Sequence, residues 1–379
     1  MKRVVHGAVA LLTRGGALLA LAAACTESPR LTAPIAPDAA AAHASVAAAA
    51  QQTVIASGLL YPRGITFDQK GALYVAEAGS PQGNTISTVG LCTQVVAPVG
   101  PWLGGATGRI SRIEGVTRTT VASGLPSSLN QFGDVEGVAD LAFVGPKLYA
   151  IIAVGCSRGL AQTPAGVYRI DGGAWSLAAN ISAWVRANPV ANPEPDDFEP
   201  DGDAYSMVAA GGVLYVGEAN SGNLLAIKPN SGSIARVADV SATQGHVVPT
   251  AVAILRDEIL FGELTPFPSV PGAAQVLRYS RHGALLGAIG GFTAILGVET
   301  DKHGNIYVLE SFTCPTTTPC FPSPGSGRVT RVAHDGTRTV IATGLSFATS
   351  MRMGPDGALY VSNFGFGPPG KGEIVRITF

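Results

Sequence analysis

Ala-Leu-Tyr-Val-Ala-Glu, residues 72–77, decides the fold because the chain repeats it. Shortened copies stand at Leu148-Tyr149-Ala150 and Ile259-Leu260-Phe261-Gly262-Glu263. Fuller ones stand at Val213-Leu214-Tyr215-Val216-Gly217-Glu218, Asn305-Ile306-Tyr307-Val308-Leu309-Glu310 and Ala358-Leu359-Tyr360-Val361-Ser362-Asn363. A recurring β-rich unit cannot bury its apolar face alone, so its neighbours must stack or ring around it. The spacing of 45 residues from Tyr215 to Leu260 matches one four-stranded blade. Longer spacings near the start mark insertions at residues 80–107 and 188–203.

The last copy shows how the array ends. Ser350-Met351-Arg352-Met353 reads as a first strand, and Pro355-Asp356-Gly357 as a tight turn. The Leu-Tyr-Val phrase is a second strand and Glu373-Ile374-Val375-Arg376-Ile377 a third. Other copies then continue into a fourth, such as Arg338-Thr339-Val340-Ile341-Ala342-Thr343-Gly344. Here the chain stops. The missing wording is at the other end, in Gln52-Thr53-Val54-Ile55-Ala56-Ser57-Gly58. The expected architecture is all-β: a six-bladed β-propeller of four-stranded blades over residues 52–379, closed when the N-terminal strand completes the last blade. Closure removes the unpaired edge of an open array.

Composition agrees. The 379 residues include 48 Gly and 26 Pro, and only 13% are charged, which suits short strands and tight turns. A net charge of -1 gives no basic field, so no nucleic-acid partner is expected. Residues 1–24 read as a signal peptide, with Lys2, Arg3 and Arg14 around a short apolar run. Leu21-Ala22-Ala23-Ala24-Cys25 resembles a bacterial lipobox and makes Cys25 the expected lipidation site, with ordinary cleavage after the Ala run as the alternative. Residues 25–51, rich in Ala and Pro, read as a flexible tether. The chain is thus expected to be exported, either secreted or held at a membrane only through a lipid, and monomeric. Four cysteines remain. Cys314 and Cys320 flank a Pro- and Thr-rich loop that suits a local disulfide, which leaves Cys92 with Cys156.

Several stretches resemble one family. VIASGLLYPRGITFDQKGALYVAEAG (54–79), GDAYSMVAAGGVLYVGEANSGNLLAI (202–227), ILFGELTPFPSVPGAAQVLRY (259–279), DGALYVSN (356–363) and GEIVRI (372–377) are similar to the ScyD/ScyE family of exported bacterial proteins. That resemblance implies an NHL-like propeller in the periplasm or at the cell surface. It also implies a more distant likeness to six-bladed lactonases and gluconolactonases, which hold a metal at the channel with Glu, Asp and Asn. Where those enzymes carry an opening Glu motif, Pro62-Arg63-Gly64-Ile65 stands. A shared propeller does not by itself carry an activity.

Three sets of residues are candidates for chemistry. Glu77, Glu218, Glu263 and Glu310 share one repeat position, with Asn363 in the sixth copy and Ile152 in the second. A ring of carboxylates suits Ca²⁺ or a cationic ligand, whereas a shared repeat position suits a turn lock made to backbone N–H groups. Asp197, Glu199 and Asp201 alternate like half a calcium loop and are the second metal candidate, against a solvated acidic loop. Arg63, Asp140, Tyr205, Thr250 and Thr349 open the inner strands and should line the channel. Their alternative role is to bond one another and water. Arg112, Arg169, Arg278, Arg331 and Arg376 recur on third strands, where pairing with neighbouring blades is expected. His282, His303 and His334 read as exposed turn residues, and His246 precedes an inner strand.

No nucleophile elbow and no His-Glu-x-x-His motif occurs. The residues favour a non-enzymatic binding or scaffold protein for a small molecule, a polymer or another protein. The alternative is a hydrolase of the calcium-dependent lactonase or gluconolactonase kind.

Overall fold

The computed structural model describes residues 45–46 (backbone), 50–193, 199–314 and 320–379. Six antiparallel sheets follow one another along the chain. The first blade is Pro62–Phe67, Leu73–Glu77, Leu103–Glu114 and Thr117–Leu129, with the short strand Val135–Glu136 added outside. The second is Val138–Val144, Lys147–Ile152, Gly166–Asp171 and Ala174–Asn180, and the third Ala204–Ala210, Val213–Glu218, Asn223–Lys228 and Ser233–Asp239. The fourth is Val248–Leu255, Glu258–Leu264, Ala274–Ser280 and Leu285–Phe292, and the fifth Ile295–Thr300, Ile306–Glu310, Gly327–Val332 and Arg338–Leu345.

Ser350–Met353, Leu359–Asn363 and Gly372–Thr378 begin the sixth blade, and Gln51–Leu59 completes it. That last strand runs antiparallel to Gly372–Thr378, with Thr53 opposite Arg376 and Val54 opposite Val375. The propeller therefore closes as the matching wording predicts, one residue earlier than expected. Ser45–Val46, within the stretch read as a tether, also pairs in parallel with Thr339 and Val340 of the fifth blade. Residues 1–44, with the signal peptide and Cys25, lie outside the described residues, as do Asp197 and its neighbours 194–198.

The Leu-Tyr-Val phrase forms the second strand of every blade and is buried nearly throughout. Its alternate side chains face opposite ways, so each second strand fills the seams on both sides of its blade. Tyr149, Ile151 and Val167 of the second blade meet Met207, Leu214 and Val216 of the third in one such seam. Ala251, Leu260 and Val276 of the fourth meet Ile295, Val298 and Val308 of the fifth in another. The apolar core is thus a ring of seams, and the axis is left to polar residues.

Both expected disulfides are present. Cys92 joins Cys156 with a Cα–Cα separation of 6.2 Å, and Cys314 joins Cys320 at 5.8 Å. The first ties the insertion of the first blade to the second. Disulfides of this kind belong to an oxidising, extracytoplasmic compartment. Among the described residues, no helix is long and apolar enough to cross a membrane.

Candidate functional site

Connections from second to third strands, and from one blade to the next, fall at the end where inner strands begin. The remaining hairpins fall at the opposite end. The two ends differ in character. The hairpin end carries charged turns, including Asp68, Lys70, Arg256, Asp257, Asp301 and Lys302. The other end carries Ile86, Val89, Leu91, Phe132, Phe267 and Phe321, all exposed. Its 28-residue insertion at 80–107 contains no charged residue. This end, which also carries Asp134, Arg186 and Lys371, surrounds the mouth of the axial channel.

Three polar layers lie along the axis. Farthest from the mouth, Asp140, Glu299 and Arg352 line the channel with Thr250, Tyr205 and Thr349. Arg352 Nη1 lies 3.0 Å from Glu299 Oε1, and Nη2 lies 3.9 Å from Asp140 Oδ2. Arg352 Nε also donates to the Ile65 carbonyl at 3.0 Å. Asp140 accepts from the backbone N–H of Leu141 at 2.8 Å and Met207 at 2.7 Å. Burial pushes the Asp140 carboxyl up to about 6, against the pull of Arg352 and these hydrogen bonds. Burial likewise raises Glu299, with Arg352 opposing. Gly64 is required beside them, because a Cβ there would sit 1.8 Å from Asp140 Oδ1 and 2.5 Å from Asp140 Cα.

The next layer spans the channel. Tyr205 OH, from the third blade, donates to the Thr349 carbonyl of the sixth at 3.1 Å. Arg63 bonds the Tyr205 side chain and donates to the Val135 carbonyl at 2.7 Å. The two threonines are inter-blade clasps: Thr349 donates to Pro62 O at 2.7 Å, and Thr250 to Ile295 O at 2.5 Å.

Above that bridge lies a cluster that the sequence did not signal. Arg158 is 1% exposed and stacks its guanidinium 5.1 Å from the Trp102 ring centroid. Its Nη1 lies 2.9 Å from Glu136 Oε2 and 3.2 Å from Asp203 Oδ1, and its Nη2 is hydrogen-bonded to Glu199. Burial pushes the Glu136 and Glu199 carboxyls upward, against the pull of Arg158. Of the second metal candidate, Glu199 is engaged here. Asp201 instead accepts from the Ser157 N–H at 2.7 Å and pairs with Arg186 at 2.7 Å.

The fold is similar to that of gluconolactonase and regucalcin propellers. A gluconolactonase from Xanthomonas campestris is 10% identical, with a TM-score of 0.51 over 86% of this chain and 90% of that one. Regucalcin from Agrobacterium tumefaciens, described as a calcium-binding protein, is 15% identical, with a TM-score of 0.51 over 88% and 97%. A Trichoderma reesei protein of Carbohydrate-Active Enzymes Family AA12 is 13% identical, with a TM-score of 0.53 over 93% and 100%. No protein-family model matches the chain, and no curated protein matches it either. At such identities the likeness shows the propeller fold alone.

The glutamates of the repeat sit in register but do not share one centre. Glu77 is fully buried and accepts from the Leu60 N–H at 2.7 Å, Arg109 Nε at 2.9 Å and Ser111 Oγ at 2.5 Å. Glu310 accepts from the Thr293 N–H at 2.9 Å and Arg328 Nε at 2.5 Å. Glu218 accepts from the Asp203 N–H at 2.9 Å and Asn223 Nδ2 at 3.2 Å. Asn363 does the same work, accepting from the Ser346 N–H at 2.7 Å and donating to Glu373 at 2.8 Å. Each side chain ties the approach of its inner strand to its own third strand.

Glu263 is different. It is 3% exposed, its Oε2 has no hydrogen-bond partner, and Gln275 takes the third-strand place held by Arg in the first and fifth blades. Burial pushes its carboxyl up to about 8, against the Gln275 hydrogen bonds. The folded chain therefore keeps a proton that the unfolded chain, ionising near the ordinary value of 4.5, gives up. Stability is full below that value and falls as pH rises towards 8. Glu263→Gln is expected to remove that fall, gaining on the order of 2–4 kcal/mol at pH 8 and nothing at pH 4. Glu310→Gln should instead lose about 1–3 kcal/mol at pH 7, because it weakens a charge-assisted bond to Arg328. Urea titrations at the two pH values check both; the same sign for both variants would contradict these assignments.

Of the third-strand arginines, Arg112, Arg169, Arg278 and Arg376 pair within their own blades, contrary to the expected inter-blade pairing. Arg278 reaches Glu258 at 2.8 Å, Arg376 reaches Asp356 at 2.7 Å and Arg112 reaches Glu114 at 2.8 Å. The reason is reach: side chains stand nearly perpendicular to a sheet, so same-face partners two residues along the strand or on the adjacent strand and its turn are nearest. His282, His303 and His334 are exposed at hairpins, as expected.

Proposed function

We propose that the chain is an extracytoplasmic binding or scaffold propeller of the ScyD/ScyE type, exported by its signal segment, lipid-anchored through Cys25 and meeting its ligand or partner at the mouth end. One observation carries this reading: the carboxylates of the mouth and channel are paired with Arg158 and Arg352, while exposed apolar side chains stand at the same end. A wired interior gives a rigid platform, and an exposed apolar rim marks an interaction surface.

The residues do not fit a resident calcium ion. The carboxylates at the mouth already face a guanidinium, and Glu77, Glu218 and Glu310 already accept from backbone N–H groups. Among the described residues, no group of three or more His, Cys, Asp or Glu side chains is set to hold a metal ion. The test is a panel of sugar and aliphatic lactones with and without millimolar CaCl₂. The expected result is no ring opening above the buffer blank. Turnover that disappears in Glu263→Gln or Glu136→Gln would replace this reading with the hydrolase one.

A further inference from the structure

In two blades the ring carboxylate holds a guanidinium from the strand beside it. Arg109 faces Glu77 in the first blade and puts Nε 2.9 Å from Oε1 and Nη2 2.5 Å from Oε2. Arg328 faces Glu310 in the fifth and puts Nε 2.5 Å from Oε2. A flat, forked cation matches a carboxylate better than a point charge does. The fourth blade keeps the carboxylate and lacks the cation. Glu263 is 3% exposed, its Oε2 accepts no hydrogen bond, and only Gln275 opposes the effect of its burial. The Gln275 side chain ends at its amide, short of where a guanidinium spreads its terminal nitrogens. Thr265 Oγ1, two residues on, is a further buried oxygen without a partner.

This carboxylate also lies one turn from solvent. Glu263 alternates with Phe261, so it shares the face that packs on Tyr215, Leu224 and Val240 of the third blade. Gln275 Nε2 donates onward to Gln244 Oε1 at 3.1 Å. Gln244 ends the short helix Ser241–Gln244, in which Ala242 and Thr243 are exposed. Two amides thus connect the buried carboxylate to a single surface turn.

We infer that Glu263 is a receptor for a guanidinium group brought from outside the chain, seated where Arg109 and Arg328 place theirs in the sister blades. The incoming group supplies the missing charge and a donor for Oε2, and the Gln275–Gln244 bond opens to admit it. The other titratable groups on the elements packed here are Tyr279 on the third strand, Asp239 at the end of the third blade's outer strand and His246 in the approach to the inner strand. A cation binds the ionised carboxylate, which burial holds back to about 8. Uptake below that pH therefore releases a proton, and affinity should rise about tenfold per pH unit and level off above it. The site does not depend on how the mouth end is used.

The experiment follows thermal unfolding and calorimetry of the whole mature chain with millimolar methylguanidinium chloride, against sodium chloride at equal ionic strength, at about pH 6 and pH 9. At the higher pH the parent should gain a saturable 1–3 °C or about that in Tm. At the lower pH binding should be weaker and coupled to proton release. Glu263→Gln should lose the response, and so should Gln275→Arg, which supplies the guanidinium internally. No shift in the parent, an equal shift with sodium, or an equal shift in Glu263→Gln would overturn the inference. Failure of Glu263→Gln to fold would also overturn it, since an unpaired carboxylate is not needed for folding. If Gln275→Arg does not fold, the parent and Glu263→Gln decide the question by themselves. N-acetylarginine amide, run alongside, identifies the source. A response to it means that an arginine side chain reaches the site, and a response to methylguanidinium alone means that only a small free guanidine enters; either supports the inference.

Discussion

Arg352→Met is expected to cost about 3–5 kcal/mol of folding stability, the usual effect of removing one partner from a buried charge network. Arg352 faces Glu299 and Asp140 in the channel, with only 16% of its side chain exposed. Without it both carboxylates stay buried and lose the cation between them, although Asp140 keeps two backbone N–H donors. Removing the arginine takes away the influence that lowers these carboxyls, so their pKa values rise further. Protonation then relieves the unpaired charge, and the deficit should shrink as pH falls from 8 to 5. Adding Glu299→Gln and Asp140→Asn to the variant should recover part of the loss, since neutral amides do not require a counter-charge. Urea unfolding across that pH range measures both effects. A deficit below about 1 kcal/mol at every pH would mean that the channel behaves like solvent-exposed surface.

The second large effect is expected from the disulfide between Cys92 and Cys156. It spans 64 residues, and in the chain-entropy account a loop of that size contributes about 4 kcal/mol. The Cys92→Ser/Cys156→Ser pair should lose most of this. Cys314 and Cys320 are only 6 apart, and their removal should cost about 2 kcal/mol. The location of the damage distinguishes the two. The first bridge holds the insertion at 80–107 against the turn that carries Arg158, so proteolysis of the double variant should begin in that insertion. Equal losses for both pairs, or first cleavage elsewhere, would contradict this role.

The propeller was legible because the repeat states the second strand of each blade, and its apolar wording fits a strand buried on both faces. Closure was legible because Val54-Ile55-Ala56-Ser57-Gly58 copies the fourth strand of other blades. The ring glutamates were legible as equivalent positions, but their direction was not. What decides it is the residue opposite on the third strand: Arg109, Asn223, Gln275, Arg328 or Glu373. The Gly-Arg-Ile and Gly-Arg-Val starts of two third strands were the available signal. Arg352 and Glu299 also left one, as charged residues within short inner strands. Arg158 left none, because its carboxylates come from connections far apart in sequence, and only blade packing brings them together.

Apart from Glu263, the carboxylates of the repeat ring, the channel and the mouth are spent inside the propeller, on guanidinium, amide and backbone N–H groups. A crystal structure of the mature chain grown with millimolar CaCl₂ tests that most directly. The predicted density is Arg158 seated among Glu136, Glu199 and Asp203, with Glu77, Glu218 and Glu310 on their backbone donors. An ion bound by those glutamates, or one seated at the mouth with Arg158 swung away, would contradict it.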